Sequence, residues 1–219
     1  MGKLTGGIDY DMIGRLGNHV GRKRKGKNII SMRPSKSKKP GTPLQINQRI
    51  KFGMMTSWLS NLSGLIDIGF AAYDTKMTAQ NAAVKYNLEH AITGTGPDYQ
   101  INYRKILYSR GPLDLPIYME VGTVIDCKIE FLWANQIVNP GNPGESNALA
   151  TDKATLLVYN STKGKFVTLK AAAPRSALKF ELQLPLDFAG DSVDCWMSFV
   201  SANGKLVSNS IYITKLLVL

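Results

Sequence analysis

The apolar positions of this chain keep a helical period over one stretch and a period of two over another. From Thr42 onward Ile46, Ile50, Met54, Trp58, Leu62 and Leu65 recur three or four residues apart, and Met55, Leu59 and Ile66 join them on the same broad face. The stretch opens on Thr42-Pro43-Leu44-Gln45. There the threonine hydroxyl can take a free backbone N–H, proline suits the first helical position, and Gln45 completes a capping box. This pattern predicts a helix of roughly five turns, with Gly53 and Gly64 as the places where it would break. Gln48, Arg49 and Lys51 fall on the opposite side of its first turns. A second helix is expected from Thr78 to about Ile92, burying Ala82, Ala83, Tyr86 and Ile92, and the two helices are expected to pack as a hairpin.

After Gly94-Thr95-Gly96-Pro97 the period changes to two. Segments 104–109, 124–133, 154–159, 165–171, 177–184, 193–201 and 206–218 are short, rich in Val, Ile, Leu, Phe and Tyr, and separated by Gly, Pro, Asn and Asp. Alternation is cleanest in Lys179-Phe180-Glu181-Leu182-Gln183-Leu184 and Lys128-Ile129-Glu130-Phe131, which place apolar residues on one face and charge on the other. About seven strands of this kind predict an immunoglobulin-like antiparallel β-sandwich. The cysteine-to-tryptophan spacing of antibody domains is missing, because Trp133 follows Cys127 by six residues.

Charge changes the picture for the first quarter. Residues 1–60 hold thirteen Lys and Arg against Asp9 and Asp11 alone, so the whole formal net charge of +11 arises there. No acid occurs between Asp11 and Asp67. Residues 1–41 are glycine-rich, then basic, then rich in Pro, Ser and Lys. Asn18 to Arg33 reads as a hairpin turned by the polar RKGK with Asn28–Met32 returning, and RPSKSKKPGTP as an extended arm. The expected organisation is a basic arm with a β-hairpin over 1–41, a helical segment over 42–96 and the sandwich over 97–219, an α+β chain.

Several chemistries find no support in these residues. The N-terminus lacks the apolar run and cleavage site of a secretory signal, and no stretch reaches the roughly 18 apolar residues of a membrane span. A cytoplasmic protein without membrane contact is the expectation, with Cys127 and Cys195 as buried free thiols. Those two cysteines with His19 and His90 give no zinc-site spacing, and no cofactor or metal is expected. Gly21 to Asn28 comes within one residue of a phosphate-binding loop. It lacks the final hydroxyl, is followed by strand-like residues instead of a helix, and carries four consecutive cations that would repel one another in a tight loop. His19 has no acid nearby in sequence, and His90 follows Glu89 on a helix where sequence neighbours diverge. Asp187 and Asp191 are read as turn chemistry, and Tyr99, Tyr103 and Tyr108 as core or strand packing. With no G-x-S-x-G motif present, no enzyme and no small-molecule substrate are expected.

The run GRKRKGKNIISMRPSKSKKPGTPLQINQRIKF, then Ile66-Asp67-Ile68-Gly69-Phe70, Ala82-Ala83-Val84-Lys85-Tyr86-Asn87, Ser109-Arg110-Gly111 and Ser208-Asn209-Ser210-Ile211-Tyr212, resembles domain-of-unknown-function family 6266, found mainly in Bacteroidota. The resemblance covers nearly all of the chain. It implies a bacterial protein with a basic N-terminal segment and a sandwich-like C-terminal half, and it implies no activity and no site residue.

The residues themselves point to non-specific binding of nucleic acid or another polyanion, since Lys and Arg neutralise phosphates and release counterions. The candidate contacts are Arg15, Arg22, Lys23, Arg24, Lys25, Lys27, Arg33, Lys36, Lys38 and Lys39, extended by Arg49 and Lys51 on the first helix. The alternative expectation is a self-assembling subunit of a fibre, filament or shell. In that case the strand-like Asn28–Met32 and the apolar C-terminus would pair with a neighbour in a homo-oligomer.

Overall fold

The computed structural model describes residues 2–4, 6, 12–35, 40–73, 77–134 and 146–219. The chain divides into two compact units, Met1–Thr42 and Pro43–Leu219. The first holds strands β1 (Gly2–Leu4), β2 (Gly14–Leu16), β3 (His19–Arg24) and β4 (Lys27–Met32) in one antiparallel sheet of order β1-β4-β3-β2. The β3–β4 turn is tighter than the four-residue RKGK. Arg24 and Lys27 pair across the strands, and only Lys25 and Gly26 turn, with φ of 48° and 72°. Two successive left-handed residues are what a two-residue type I′ turn requires, and its twist matches that of the strands it joins. Among the described residues of this unit only Gly21 and Asn28 are buried, so none of its described apolar side chains is.

The second unit begins with helices α1 (Pro43–Ser60), α2 (Ser63–Gly69) and α3 (Ala79–His90). The long helix breaks at Asn61-Leu62, not at either glycine. Ser60 Oγ and Asn61 Nδ2 donate to the Ser57 carbonyl at 2.8 and 3.0 Å, and the Leu62 N–H turns back to Leu59 at 3.0 Å. These groups satisfy the last carbonyls of α1 and close the helix in a tighter turn. The expected apolar stripe is buried only from Met55 onward. Ile46 and Ile50 are 45% and 36% exposed, because the buried partners of this face, Leu157, Tyr159 and Trp196, join Met55, Trp58 and Leu59 but nothing earlier in α1. At the start of α3, Thr78 accepts from the Asn81 N–H at 3.3 Å. Ala82 and Ala83 are buried as expected, while Tyr86 and Ile92 are half-buried.

A two-stranded ribbon, β5 (Ile92–Thr93) with β6 (Gln100–Ile101), leads into seven further strands. These are β7 (Met119–Val124), β8 (Lys128–Trp133), β9 (Lys153–Asn160), β10 (Lys165–Leu169), β11 (Lys179–Gln183), β12 (Ser192–Val200) and β13 (Ile211–Leu217). They form one antiparallel sheet of order β11-β8-β7 and another of order β10-β9-β12-β13. Ile129 and Phe131 of the first share a buried cluster with Leu156, Val158, Cys195 and Met197 of the second. On its other face the four-stranded sheet presents Leu157, Tyr159 and Trp196 to the helices. The central strands β9 and β12 are thus buried on both faces, which is why they read as continuous apolar runs. Among the described residues the result is an α+β arrangement with three helices and four antiparallel sheets.

Two strand expectations are corrected. The single strand over 124–133 is a hairpin, β7–β8, interrupted where Asp126 and Cys127 adopt φ of 64° and 55°. The segment 104–109 joins no sheet. Tyr103–Lys105 form a 3₁₀ turn, and the residues after it are held by side chains, with the Leu107 N–H donating to Asn87 Oδ1 at 2.9 Å and the Tyr108 N–H to Ser210 Oγ at 3.0 Å. Cys127 and Cys195 are both buried and unpaired.

Candidate functional site

Register decides which cations of the N-terminal sheet can act together. Residues directly opposite one another in an antiparallel pair point to the same face. Arg15 lies opposite Val20, Arg22 opposite Ile29 and Arg24 opposite Lys27. With alternation along β3, this places Arg15, Arg22, Arg24 and Lys27 on one face. Lys23 falls on the other, with Leu16, His19, Ile30 and Met32. Arg22 donates to Ser31 Oγ at 3.3 Å and Arg15 Nε to the Gly17 carbonyl at 3.3 Å, and none of these five cations makes an ion pair with a described residue. Arg24 and Lys27 stand directly opposite as like charges, an arrangement that costs stability until an anion sits over it.

The remaining sequence-predicted cations are spread out. Lys25 occupies the turn, Arg33 follows β4 with its N–H on the Asn18 carbonyl at 2.7 Å, and Lys36, Lys38 and Lys39 lie outside the described residues. Arg49 and Lys51 sit on α1 of the other unit, where Arg49 is exposed and the Lys51 ammonium stands 5.1 Å from the Tyr99 ring centroid. Gly21 to Asn28 runs from strand through turn to strand, so no helix N-terminus faces a phosphate there.

A second site lies wholly within the other unit. Trp58 of α1, Tyr103 of the 3₁₀ turn, Tyr159 of β9 and Phe166 of β10 converge, with the Trp58 ring centroid 5.6 Å from Tyr159 and 5.2 Å from Phe166, and Tyr103 5.2 Å from Tyr159. They line an open cleft of about 590 Å³ together with Ser57, Asn61 and Gln100, and no lining residue carries a charge. On the other side of Gln100, Ile101 and Tyr103, a second cleft of about 340 Å³ is lined by Arg104, Asp194, Tyr212 and Lys215 among others. Asp194 is 3% exposed; its Oδ1 accepts from the Tyr212 hydroxyl at 2.8 Å and its Oδ2 meets no donor. Burial first, then the hydrogen bond to Asp194, pushes the Tyr212 phenol up to about 12. Burial and the adjoining Tyr159 hydroxyl raise Tyr103 still further.

Sequence reading assigned Trp58 to a helix core and Tyr103 to packing, and both do pack. It missed that they wall a cleft, since Tyr159 and Phe166 reach it from the β9–β10 pair, far from Trp58 in sequence. One local signal was available: Asp194 is an acid inside the otherwise uncharged run Val193–Val200. His19 is exposed on β3, and His90 is exposed and stacks on Tyr86 at 4.2 Å. Asp187 and Asp191 pair with Lys165 and Lys163 at 2.7 and 2.6 Å, and hydrogen bonds from those lysines hold both carboxyls below the usual carboxylate range. Among the described residues no group of three or more His, Cys, Asp or Glu could hold a metal ion, and no helix is long and apolar enough to cross a membrane.

A model described as a family of unknown function (DUF6266) matches residues 11–214, a span that takes in strands β2–β4, the first cleft and the second cleft apart from Lys215. No curated protein matches the chain at a significant level.

Proposed function

The chain belongs to this family of unknown function, and from its own geometry we propose that it is a non-enzymatic protein that binds nucleic acid, or another polyanion, without sequence specificity through the N-terminal sheet. The observation that carries the reading is the gathering of Arg15, Arg22, Arg24 and Lys27 on one face with no ion pair to any described residue. Cations placed in this way take phosphates in exchange for condensed counterions. The seven-strand part of the second unit is the rigid body, which we read as an immunoglobulin-like sandwich. Its strands in chain order divide into first-second-fifth and third-fourth-sixth-seventh, close to the partition of a constant-type domain except that the fourth pairs with the third.

Binding to double-stranded DNA, titrated with salt, tests the reading. Four phosphate contacts give a slope of about −3.6 in log affinity against log salt, hence a loss of roughly 10²-fold between 50 and 200 mM. Engagement of the whole basic segment, with six to ten contacts, gives roughly 10³- to 10⁵-fold. Arg22→Glu with Arg24→Glu is expected to flatten the slope by about 2. Salt-independent binding, or no binding at 50 mM, rejects the proposal.

The second reading, self-assembly through the same sheet, is favoured by one observation. Leu16 and Met32, on the face away from the four cations, are 61% and 73% exposed on a sheet with no buried apolar side chain among its described residues. Sedimentation velocity decides between them: a concentration-dependent oligomer abolished by Leu16→Lys with Met32→Lys, with DNA binding unaltered, supports assembly.

A further inference from the structure

The two clefts beside Tyr103 have complementary chemistry. The first is uncharged although one residue in five of the chain is charged, and it offers aromatic surface with the side-chain amides of Asn61 and Gln100 at its walls. An uncharged planar ligand with hydrogen-bonding edges fits such walls, because rings stack on rings while amides pair with ring edges. The second cleft adjoins it through Gln100, Ile101 and Tyr103 and carries two exposed cations, Arg104 and Lys215. Asp194 is buried while Arg104 and Lys215 are exposed, so an anionic group entering this cleft would meet the two cations before the carboxylate. The Arg104 guanidinium, 5.9 Å from the Tyr212 ring centroid, is steadied there by the ring.

A molecule with a neutral aromatic heterocycle at one end and an anion at the other satisfies both clefts at once. We propose that this site holds a single unstacked nucleotide of a nucleic-acid strand, its base between the aromatic and amide walls of the first cleft and its phosphate at Arg104 and Lys215. The inference deepens the nucleic-acid reading by adding a single-strand subsite to the duplex-tolerant cationic sheet. It rests on that reading for its ligand class and not for its residues. Base stacking of this kind is tolerant of sequence, because every base has a π-face.

The test uses the full-length protein and three ligands: a nucleoside, its monophosphate, and a double-stranded DNA whose paired bases cannot enter the cleft. Tryptophan fluorescence follows the first two, since Trp58 lines the base cleft. Tyr103→Ala and Gln100→Ala are expected to weaken nucleoside and monophosphate alike, the first by about tenfold or more. Arg104→Ala and Lys215→Ala, both at exposed positions, are expected to weaken the monophosphate several-fold and leave the nucleoside unchanged. None of the four should alter binding of the duplex, whereas Arg22→Glu should weaken the duplex and leave the monophosphate alone. Failure of the duplex arm alone rejects the cationic sheet. The nucleotide site is overturned by saturable monophosphate binding that none of the four substitutions weakens, or by no binding at millimolar concentration. A neutral oligosaccharide that binds where the monophosphate does not also overturns it, assigning the aromatic cleft to sugars instead.

Discussion

Tyr108 shows how one side chain couples packing to pH. It is 1% exposed, its hydroxyl donates to the Thr155 carbonyl at 3.2 Å, and burial pushes its phenol far above the usual tyrosine range. Below about pH 10 both folded and unfolded chains keep the proton, so the group has no effect on the pH dependence of stability. Above that, the unfolded phenol ionises and the folded one does not, and stability falls as pH rises, by up to about 1.4 kcal/mol per pH unit. Urea unfolding between pH 9 and 11.5 is expected to show this fall, and Tyr108→Phe to make it shallower; an unchanged pH dependence in the variant refutes the assignment. Tyr212, raised to about 12, adds to the fall in the same direction and less steeply, since it is only half-buried. The sequence exposed such residues unevenly. Each cation of the basic segment could be named from the sequence, while Asp194 and Tyr212 acquire their character from burial and from each other, across the pairing of β12 with β13.

At the scale of elements, what could be read depended on whether a segment's partner was local or distant. The α3 helix was legible because its cap and its buried alanines are written within twelve residues. The seven-strand region was legible in outline because alternation follows from pleating alone. The segment 104–109 also has strand-like residues, but its backbone groups are met by Asn87 and Ser210, which no local pattern announces. Asn87 is fully buried and spans two elements, its amide donating to the Leu107 carbonyl at 2.8 Å and to Ala83 at 2.9 Å while its oxygen takes the Leu107 N–H. Asn87→Leu leaves the Leu107 N–H and carbonyl without partners and is expected to cost about 2–4 kcal/mol in urea unfolding. A loss below about 0.5 kcal/mol would mean that α3 does not depend on this bridge. The exposed first half of α1 shows the opposite limit, since helical periodicity places Ile46 and Ile50 on a face without stating how far the packed layer extends.

The two units differ in how much they bury among their described residues. Strands β9 and β12 lie between two buried clusters, whereas the described residues of the N-terminal unit bury only Gly21 and Asn28. Stability must therefore be unequal between the units. Hydrogen exchange is expected to find the β9 and β12 amides the slowest and those of β3 and β4 faster by orders of magnitude, with duplex DNA slowing only the latter. Equal protection in both units without ligand would contradict this ranking. The segregation of charge into residues 1–60 was visible at once, because it needs only counting. The stacking of helices on the four-stranded sheet was not, because it depends on which face of β9 and β12 the helices choose. With only Gly21 and Asn28 buried among its described residues, the sheet is expected to open more readily than the second unit, and a ligand that requires the paired form then binds with an affinity reduced by the fraction of chains in that form. The turn at Lys25-Gly26 thereby becomes a tuning point. Gly26, at φ 72° with open space around it, is the residue whose replacement by alanine should weaken binding through that fraction while touching no ligand at all.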